Sequence, residues 1–401
     1  MSGPLAGIRV LDLTTVQMGP WCTRIIADFG ADVIKVEAPG GDSSRYTGVP
    51  KHRGMSGTFQ HNARGKRSIA IDLKQPEARD AILRLVPTVD AFASNIRQAA
   101  LARLGLDYES IKQMNPSIVY LSMVGYGSAG RYAGRPAYDD LIQAAAAIPT
   151  LLQRSTGQPR FIPMAAIDRI VGGAAANALL AGLLAKARTG VGQMIEVPMF
   201  ETMAQFVLSE HMQGQTFDPP TSPPGYPRTL SPHRRPYATR DGFIAVLPYN
   251  DGQWRRFFEA VGKGHILESD PRFADISSRT ANIDSLYEMI GEELQHRTTD
   301  AWLTLLQEND IPCMRPHTLE SLMEDPHLAD AGFFRWEEHP SEGRIRTMRE
   351  PSTWSETVPP TGRFAPRLGQ HTREILAEAG CDAAAIDSLI ERKIVNTDGQ
   401  S

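Results

Sequence analysis

The residue best suited to covalent chemistry in this sequence is Asp168, which stands just before a long run of small apolar residues. From Arg169 to Lys186 the chain is rich in Ala, Leu and Gly and has no Pro, a composition that favours a helix. Asp168 would lie at the helix start, where unpaired N–H groups and the helix dipole favour an ionised carboxylate. Two interpretations stand at this point: Asp168 is an N-cap, or it is a nucleophile that attacks an acyl group.

The composition restricts the classes of partner and cofactor. A net charge of −4 gives no bulk attraction to nucleic acid or to an anionic membrane, so neither is expected as a partner. Cys22, Cys313 and Cys381 are odd in number and far apart, which favours a reducing compartment and no structural zinc. The ten histidines form no metal-ligand spacing, so we expect no metal site. The start of the chain lacks a signal-peptide pattern, and we expect a cytoplasmic protein.

The first part of the chain alternates strands and helices. GIRVLDL, WCTRIIADF and ADVIKVE predict a β-α-β unit, and the alternation continues to a strand over residues 118–124. Such alternation is typical of a parallel sheet with crossover helices. The loop TTVQMGPW lacks the G-x-G-x-x-G fingerprint, so dinucleotide binding is not expected. Glu37, which resembles a ribose-binding acid, is interpreted as a solvated charge at the strand end.

Length and composition predict two domains in the α/β class. At 401 residues the chain exceeds the usual limit of one core. Residues 214–236 are dense in Pro, Gly, Ser and Thr, which indicates a connector. We therefore predict a Rossmann-like parallel-sheet domain from residues 1–213, the connector, a smaller α+β domain over 237–330, and a return to the large domain over 331–401.

Several motifs together resemble the class III coenzyme A transferase (CaiB/BaiF) family, of the formyl-CoA and carnitine CoA-transferase type. PLAGIRVLDLTTVQMGP, FGADVIKVEAPGGD, NARGKRSIAIDLK, LARLGLDYESIKQMNPSIVYLSMVGYG, LLAKARTGVGQMIEVPMFE and APRLGQHTREIL occur in the family's order. The resemblance runs nearly from end to end. It implies an intertwined, ring-like homodimer with an active site shared between large and small domains.

The resemblance also implies a role for Asp168. In the family the matching aspartate is the nucleophile, which forms an acyl anhydride and then an aspartyl-CoA thioester while CoA moves from an acyl-CoA to a free carboxylic acid. No cofactor is held permanently, since coenzyme A arrives as the acyl-CoA substrate. By position in the motifs, the implied CoA-binding residues are Gln17, Met18, Leu73, Lys74, Asn95, Arg97, Arg103, Arg135 and Tyr138.

Departures from the family pattern leave the substrate open. Ala38-Pro39 replaces a basic residue after the second strand, so that phosphate contact is absent or supplied by Arg45 or Lys51. The Pro-rich connector replaces a glycine run, which argues against a formyl or oxalyl substrate. Its three arginines could instead meet the second carboxylate of a dicarboxylic acceptor, because Arg matches carboxylate geometry. These are Arg228, Arg234 and Arg235.

Two alternatives remain beside the transferase. α-Methylacyl-CoA racemases resemble these proteins, but in them a His precedes the Asp of the segment matching AYDDL, where this chain has Tyr138 before Asp139. Racemisation needs a paired acid and base, so the missing His argues against it. The other alternative is a non-catalytic protein that binds CoA.

Gly172 and Gly173, just after Asp168, could serve helix packing or close approach of the substrate.

Overall fold

The computed structural model describes residues 3–360 and 363–397 and divides the chain into two compact units. The first contains the residues up to Ile142, Pro163–Ala204 and the chain from Asp330 onwards. The second contains Gln143–Ile162 and Gln205–Ala329. Residues 143–162, which the sequence analysis places in the large domain, thus cluster with the second unit.

A seven-stranded sheet lies at the centre of the first unit. In order across the sheet, its strands are β12 (Val395–Asn396), β3 (Lys66–Ile71), β2 (Asp32–Glu37), β1 (Arg9–Asp12), β4 (Ala91–Ser94), β5 (Val119–Val124) and β6 (Gln193–Pro198). All neighbours pair in parallel except β12, which runs antiparallel along β3. The predicted parallel sheet is confirmed.

The strand order reverses at β1. Strands β2 and β3 follow on one side of it, and β4, β5 and β6 follow on the other. In open α/β sheets, ligands bind beyond the carboxyl ends of the strands at such a reversal. The segments that follow β1 and β4 are therefore the first places to look for a site.

Helices cover the sheet because buried parallel strands are apolar on both faces. One cluster joins Leu11, Ile34 and Ile69 of the strands to helical residues such as Ile82 and Leu376. The helices within or beginning in the first unit are α1 (Met18–Asp28), α2 (Gly57–Ala63), α3 (Pro76–Leu85), α4 (Gln98–Arg103), α5 (Tyr108–Met114), α6 (Asp139–Ala145), α8 (Ala166–Thr189), α9 (Met199–His211), α18 (Thr372–Glu378) and α19 (Ala383–Glu391). A hairpin of β10 (Phe334–His339) and β11 (Gly343–Met348) completes the unit.

Helix α8 is the element that carries Asp168. It runs for 24 residues and ends at Gly190, whose φ of 74° suits a left-handed C-cap. Its length and apolar composition would suffice to cross a membrane, but in this fold it packs against α1, β5 and β6. Because α8 returns the chain between two parallel strands, its N-terminus lies at their carboxyl edge.

The second unit has its own apolar core around Trp254, Phe257, Ile290 and Trp302. The Trp302 indole N–H donates to the Leu294 carbonyl at 2.7 Å, which satisfies its buried polar atom. The helices of this unit are α7 (Ile148–Thr156), α10 (Pro227–Leu230), α11 (Asp251–Ala260), α12 (Ile266–Ser269), α13 (Ile276–Ala281), α14 (Ile283–Leu294), α15 (Thr299–Glu308), α16 (Leu319–Met323) and α17 (Pro326–Asp330). Its strands are β7 (Tyr237–Ala238), β8 (Phe243–Val246) and β9 (Cys313–Met314), which form a small antiparallel sheet.

Candidate active site

Asp168 lies in the first turn of α8 but does not cap it. The helix begins at Ala166, its N-cap is Ala165, and no side chain makes the capping hydrogen bond. The backbone N–H of Asp168 instead donates to Oδ1 of Asp139, at 2.9 Å. The N-cap interpretation is therefore wrong, and the Asp168 carboxyl is left for another use.

The surroundings of the half-buried Asp168 carboxyl disfavour its ionised form. Burial, and then the neighbouring Asp139 carboxylate, raise the pKa of Asp168 to about 7, while Arg169 acts in the opposite direction. The helix start was expected to favour the ionised carboxylate, but at Asp168 the loss of water outweighs the favourable dipole. A carboxyl that titrates near neutrality is more typical of a functional site than of a surface charge.

Gln17 and Met18 lie where β1 gives way to α1, at the carboxyl edge of the sheet. Gln17 occupies the N-cap position of α1, and the buried Met18 is the first helical residue. The Asn62 side chain donates through Nδ2 to Gln17 Oε1 at 2.7 Å and accepts at Oδ1 from Arg169 Nη1 at 3.4 Å. Asn62 thus bridges the start of α1 to the residue that follows Asp168.

Sequence reasoning missed this bridge. Asn62 begins the segment NARGKR, but no spacing pattern in the sequence connects it with Gln17 or with Arg169. The Arg169 guanidinium also lies 4.1 Å from the centre of the Trp21 ring on α1. A stacked guanidinium of this kind ties α8 to α1 beside Asp168.

Gly172 and Gly173 have different roles. A Cβ on Gly172 would lie 2.6 Å from the Met18 carbonyl oxygen and 3.0 Å from Cδ1 of Trp21. At Gly173 nothing lies within 4 Å of the corresponding position. Helix packing therefore accounts for Gly172, which lets α8 touch the backbone of α1 one turn after Asp168.

The other predicted CoA contacts follow β3 and β4 at the same edge of the sheet. Leu73 is partly buried against the apolar core, and Lys74 is exposed. Arg97 is exposed at the N-cap position of α4. Arg103 is exposed at the end of α4, where its Nε donates to the Ala99 carbonyl at 3.2 Å. The exposed cations are available to a ligand.

Asn95 differs from these residues because its amide is already engaged by the loop after β1. Its Oδ1 accepts from the Thr15 N–H, and its Nδ2 donates to the Thr15 carbonyl, both at 2.9 Å. The structure therefore brings Asn95 and the segment before Gln17 together. The primary contact of Asn95 is with the protein backbone.

Arg135 and Tyr138 lie in the exposed loop before α6. The Arg135 guanidinium is 4.3 Å from the centre of the Tyr132 ring, and Tyr138 is 69% exposed. Within the described ranges, no hydrogen bond or ion pair joins either side chain to Asp168. Tyr138 directly precedes Asp139, whose carboxylate contacts Asp168, so this loop adjoins the site through the chain itself.

Comparison with known proteins decides the family. The model of CoA-transferase family III matches residues 5–372. A succinate–glutarate CoA-transferase of Agrobacterium fabrum is 34% identical over 94% of this chain and 95% of its own length. The succinyl-CoA:glutarate CoA-transferase of Homo sapiens is 29% identical over 98% of this chain and 90% of its own. A crystal structure of a CaiB/BaiF family protein from Brucella suis, 30% identical, covers 94% of this chain and 100% of that one with a TM-score of 0.78.

The chain belongs to CoA-transferase family III. It is therefore a CoA-transferase, and its substrates are CoA thioesters.

The transferase has a buried ion pair at the carboxyl end of β2. Glu37, interpreted from sequence as a solvated charge, is 4% exposed and pairs with Arg45. Arg45 Nε and Nη2 lie 2.7 and 2.6 Å from the two Glu37 oxygens, and Arg45 itself is 0% exposed. Arg45 therefore cannot supply the missing phosphate contact. Lys51 donates to the Glu342 backbone carbonyl.

The connector arginines of the transferase lie in the second unit. Arg228 Nε donates to the Tyr287 hydroxyl at 3.1 Å, so Arg228 is engaged locally. Arg234 and Arg235 are exposed, and in the part of the chain that the structure describes neither pairs with a carboxylate. The described residues also contain no group of three or more His, Cys, Asp or Glu side chains arranged to hold a metal ion.

Proposed function

We propose that this transferase moves CoA from an acyl-CoA to a free carboxylic acid through covalent intermediates on Asp168. The observation that carries the proposal is the half-buried Asp168 carboxyl, with a pKa raised to about 7, in the first turn of a helix packed against Met18 and Trp21. The proposed reaction uses no metal or permanently bound cofactor.

The reaction has four balanced steps. An Asp168 carboxylate oxygen attacks the thioester carbonyl carbon, the C–S bond breaks, and CoA leaves as its thiolate. The thiolate attacks the Asp168 carbonyl of the resulting anhydride and releases the donor carboxylate. The acceptor carboxylate then attacks the aspartyl-CoA thioester and expels the thiolate. Finally the thiolate attacks the acceptor acyl carbon, which releases the new acyl-CoA and the Asp168 carboxylate.

Each step develops negative charge on a tetrahedral oxygen, which needs hydrogen-bond donors. The N–H groups of Met18 and Gly19 begin α1, where a helix offers no internal partner. Gln17 Oε1 accepts a hydrogen bond from Asn62 Nδ2, which leaves the Gln17 NH₂ group to donate to the substrate. We assign oxyanion stabilisation to these groups.

For the nucleotide and pantetheine portions of CoA, we keep the assignment implied by the family motifs. The position of these residues in the fold supports the assignment. They lie on segments that follow strands on both sides of the sheet reversal, or on the exposed loop before Asp139, and these segments begin at the carboxyl edge of the sheet. Exposed guanidinium and ammonium groups there can pair with phosphates. The assigned residues are Gln17, Met18, Leu73, Lys74, Asn95, Arg97, Arg103, Arg135 and Tyr138.

The acceptor is proposed to be a dicarboxylic acid, with succinyl-CoA as donor. The relatives from Agrobacterium fabrum and Homo sapiens are named for succinate or succinyl-CoA and glutarate. Arg234 and Arg235 are proposed to bind the second carboxylate, because an exposed guanidinium can form a bidentate pair with it. Replacing both by Met should abolish glutarate turnover and spare a monocarboxylate. Equal losses on both acids would contradict this role.

The transferase is proposed to act as an intertwined homodimer in the cytoplasm. The support is the family's architecture and the three free thiols, of Cys22, Cys313 and Cys381, which suit a reducing compartment. Sedimentation at micromolar concentration tests the dimer, and a monomer that turns over substrate would contradict it.

The decisive experiment is mass spectrometry of the protein after mixing with succinyl-CoA. We expect a CoA adduct on the peptide that contains Asp168, its loss on adding glutarate, and no adduct in Asp168→Asn. Asp80→Asn, an exposed carboxyl on α3, is the matched control. Full activity of Asp168→Asn would indicate another nucleophile. Deuterium incorporation from heavy water at the α-carbon of a branched acyl-CoA would instead support the racemase.

A further inference from the structure

The loop after β1 contains a strained residue directly before Gln17. Val16 has a φ of 70°, in the left-handed region, and is 42% exposed. A β-branched side chain is strongly disfavoured there, and Gly or Asn would be the usual choice. Such a conformation persists only where the surroundings hold it, and it concentrates at functional sites.

Asp42 supplies the contact that holds Val16. The Val16 N–H lies 3.2 Å from each oxygen of the Asp42 carboxylate. The same carboxylate accepts from the Ser44 N–H and from Lys35 Nζ, both at 2.9 Å. Asp42 is 4% exposed, so its position is determined by buried partners.

The residues before Val16 are held in the same way. Lys35 Nζ, 1% exposed, also donates to the Thr14 carbonyl at 2.9 Å. The Asn95 amide exchanges two hydrogen bonds of 2.9 Å with the backbone of Thr15. The backbone of three consecutive residues, 14 to 16, is therefore held by side chains from other parts of the chain: Lys35, Asn95 and Asp42.

We propose that Asp42 is a positioning residue for the transferase reaction, which holds Val16 in its left-handed conformation and thereby presents Gln17 and the start of α1 to the acyl group. Lys35 and Asn95 hold the preceding backbone, at Thr14 and Thr15, in the same way. Asp42 touches no substrate and acts only through the loop. The proposal rests on the role proposed above for Gln17.

The alternative is a buried ion pair that serves stability alone. Buried pairs are weak stabilisers because desolvation offsets their attraction. Neutralising Lys35 also does not require Asp42 to face the N–H of a strained residue. A purely structural role predicts lost stability without a specific effect on turnover, which separates the two interpretations.

The test compares Asp42→Ala, which removes the acceptor of the Val16 N–H, with the double variant Asp42→Ala/Val16→Gly, using succinyl-CoA and glutarate. Loss of positioning should lower kcat about 10- to 100-fold, the size expected for a small misplacement of reacting groups, with little change in KM. Glycine adopts a positive φ freely, so the double variant should recover about tenfold in kcat. Asp32→Ala, which removes a carboxylate paired with Arg67 at the start of β2, is the control.

Hydrogen exchange at the Val16 amide provides a readout independent of substrate. Exchange should accelerate in Asp42→Ala and stay slow in Asp32→Ala. If Asp42→Ala does not fold, Val16→Pro replaces it in the kcat measurement, since proline removes the N–H and forbids a positive φ, and a kcat equal to that of the wild type then overturns the proposal. Unchanged exchange, or a kcat loss that Val16→Gly does not rescue, overturns the proposal. A wild-type protein inactive with succinyl-CoA and glutarate contradicts the proposed substrates instead, and exchange then decides the positioning role.

Discussion

Replacing Asp168 by Asn should stabilise the free protein at neutral and alkaline pH, although it removes the proposed nucleophile. The folded state binds a proton on Asp168 more tightly than the unfolded chain does, because burial and Asp139 raise the pKa from 3.8 to about 7. The stability that protonated Asp168 contributes to the folded state is fully present below about pH 3.8 and is lost as the pH rises through about 7. Asparagine is isosteric and carries no ionisable group, so its contribution does not change with pH.

The magnitude follows from the interval between the two pKa values. From 3.8 to about 7, at 1.36 kcal/mol for each pH unit, the full linkage is about 4 kcal/mol. Since the side chain is only half-buried, water reduces this, and we expect an advantage for Asp168→Asn of about 2 kcal/mol at pH 8. At pH 5 the advantage should be less than half as large.

The assay is thermal unfolding of the wild type and Asp168→Asn in parallel from pH 5 to pH 8 without CoA. The difference between the two melting temperatures should grow with pH and level off above about pH 7. Asp80→Asn should show no such growth. A difference between Asp168→Asn and wild type that stays constant across this range would refute the desolvation of Asp168.

Three further predictions concern neighbours of the site. Asp139→Asn keeps an acceptor for the Asp168 N–H but removes the like charge, so the acid limb of the kcat/KM profile, expected near pH 7 in the wild type, should move down by about 0.5 to 1 pH unit. Gly172→Ala places a Cβ 2.6 Å from a carbonyl oxygen and should cost about 1–3 kcal/mol in urea unfolding, whereas Gly173→Ala, with open space, should be neutral or stabilising by up to about 1 kcal/mol. Equal effects would contradict the packing assigned to Gly172. Arg103→Ala should raise the KM for succinyl-CoA about 10-fold with little change in kcat, and an unchanged KM in initial-rate measurements would remove Arg103 from the CoA site.

The regular elements that position the site were predictable because they depend on local patterns. Buried parallel strands are apolar along their length, and the helices between them repeat every 3.6 residues. The strand predicted over residues 118–124 matches β5, and the helix predicted from Arg169 to Lys186 lies within α8. The domain limits were harder, because nothing in the composition of residues 143–162 indicates which core they join.

The sequence by itself determined the family, the parallel sheet and the candidate nucleophile, since ordered motifs and periodicity are properties of the chain. The tertiary structure decided the protonation of Asp168, because that depends on burial and on Asp139, 29 residues earlier. It also decided that Glu37 and Arg45 are a buried pair and that Asn95 holds Thr15. Only packing in the folded chain excludes water from a side chain and brings residues distant in sequence into contact. At Asp168 these two effects raise the pKa of the carboxyl to about 7.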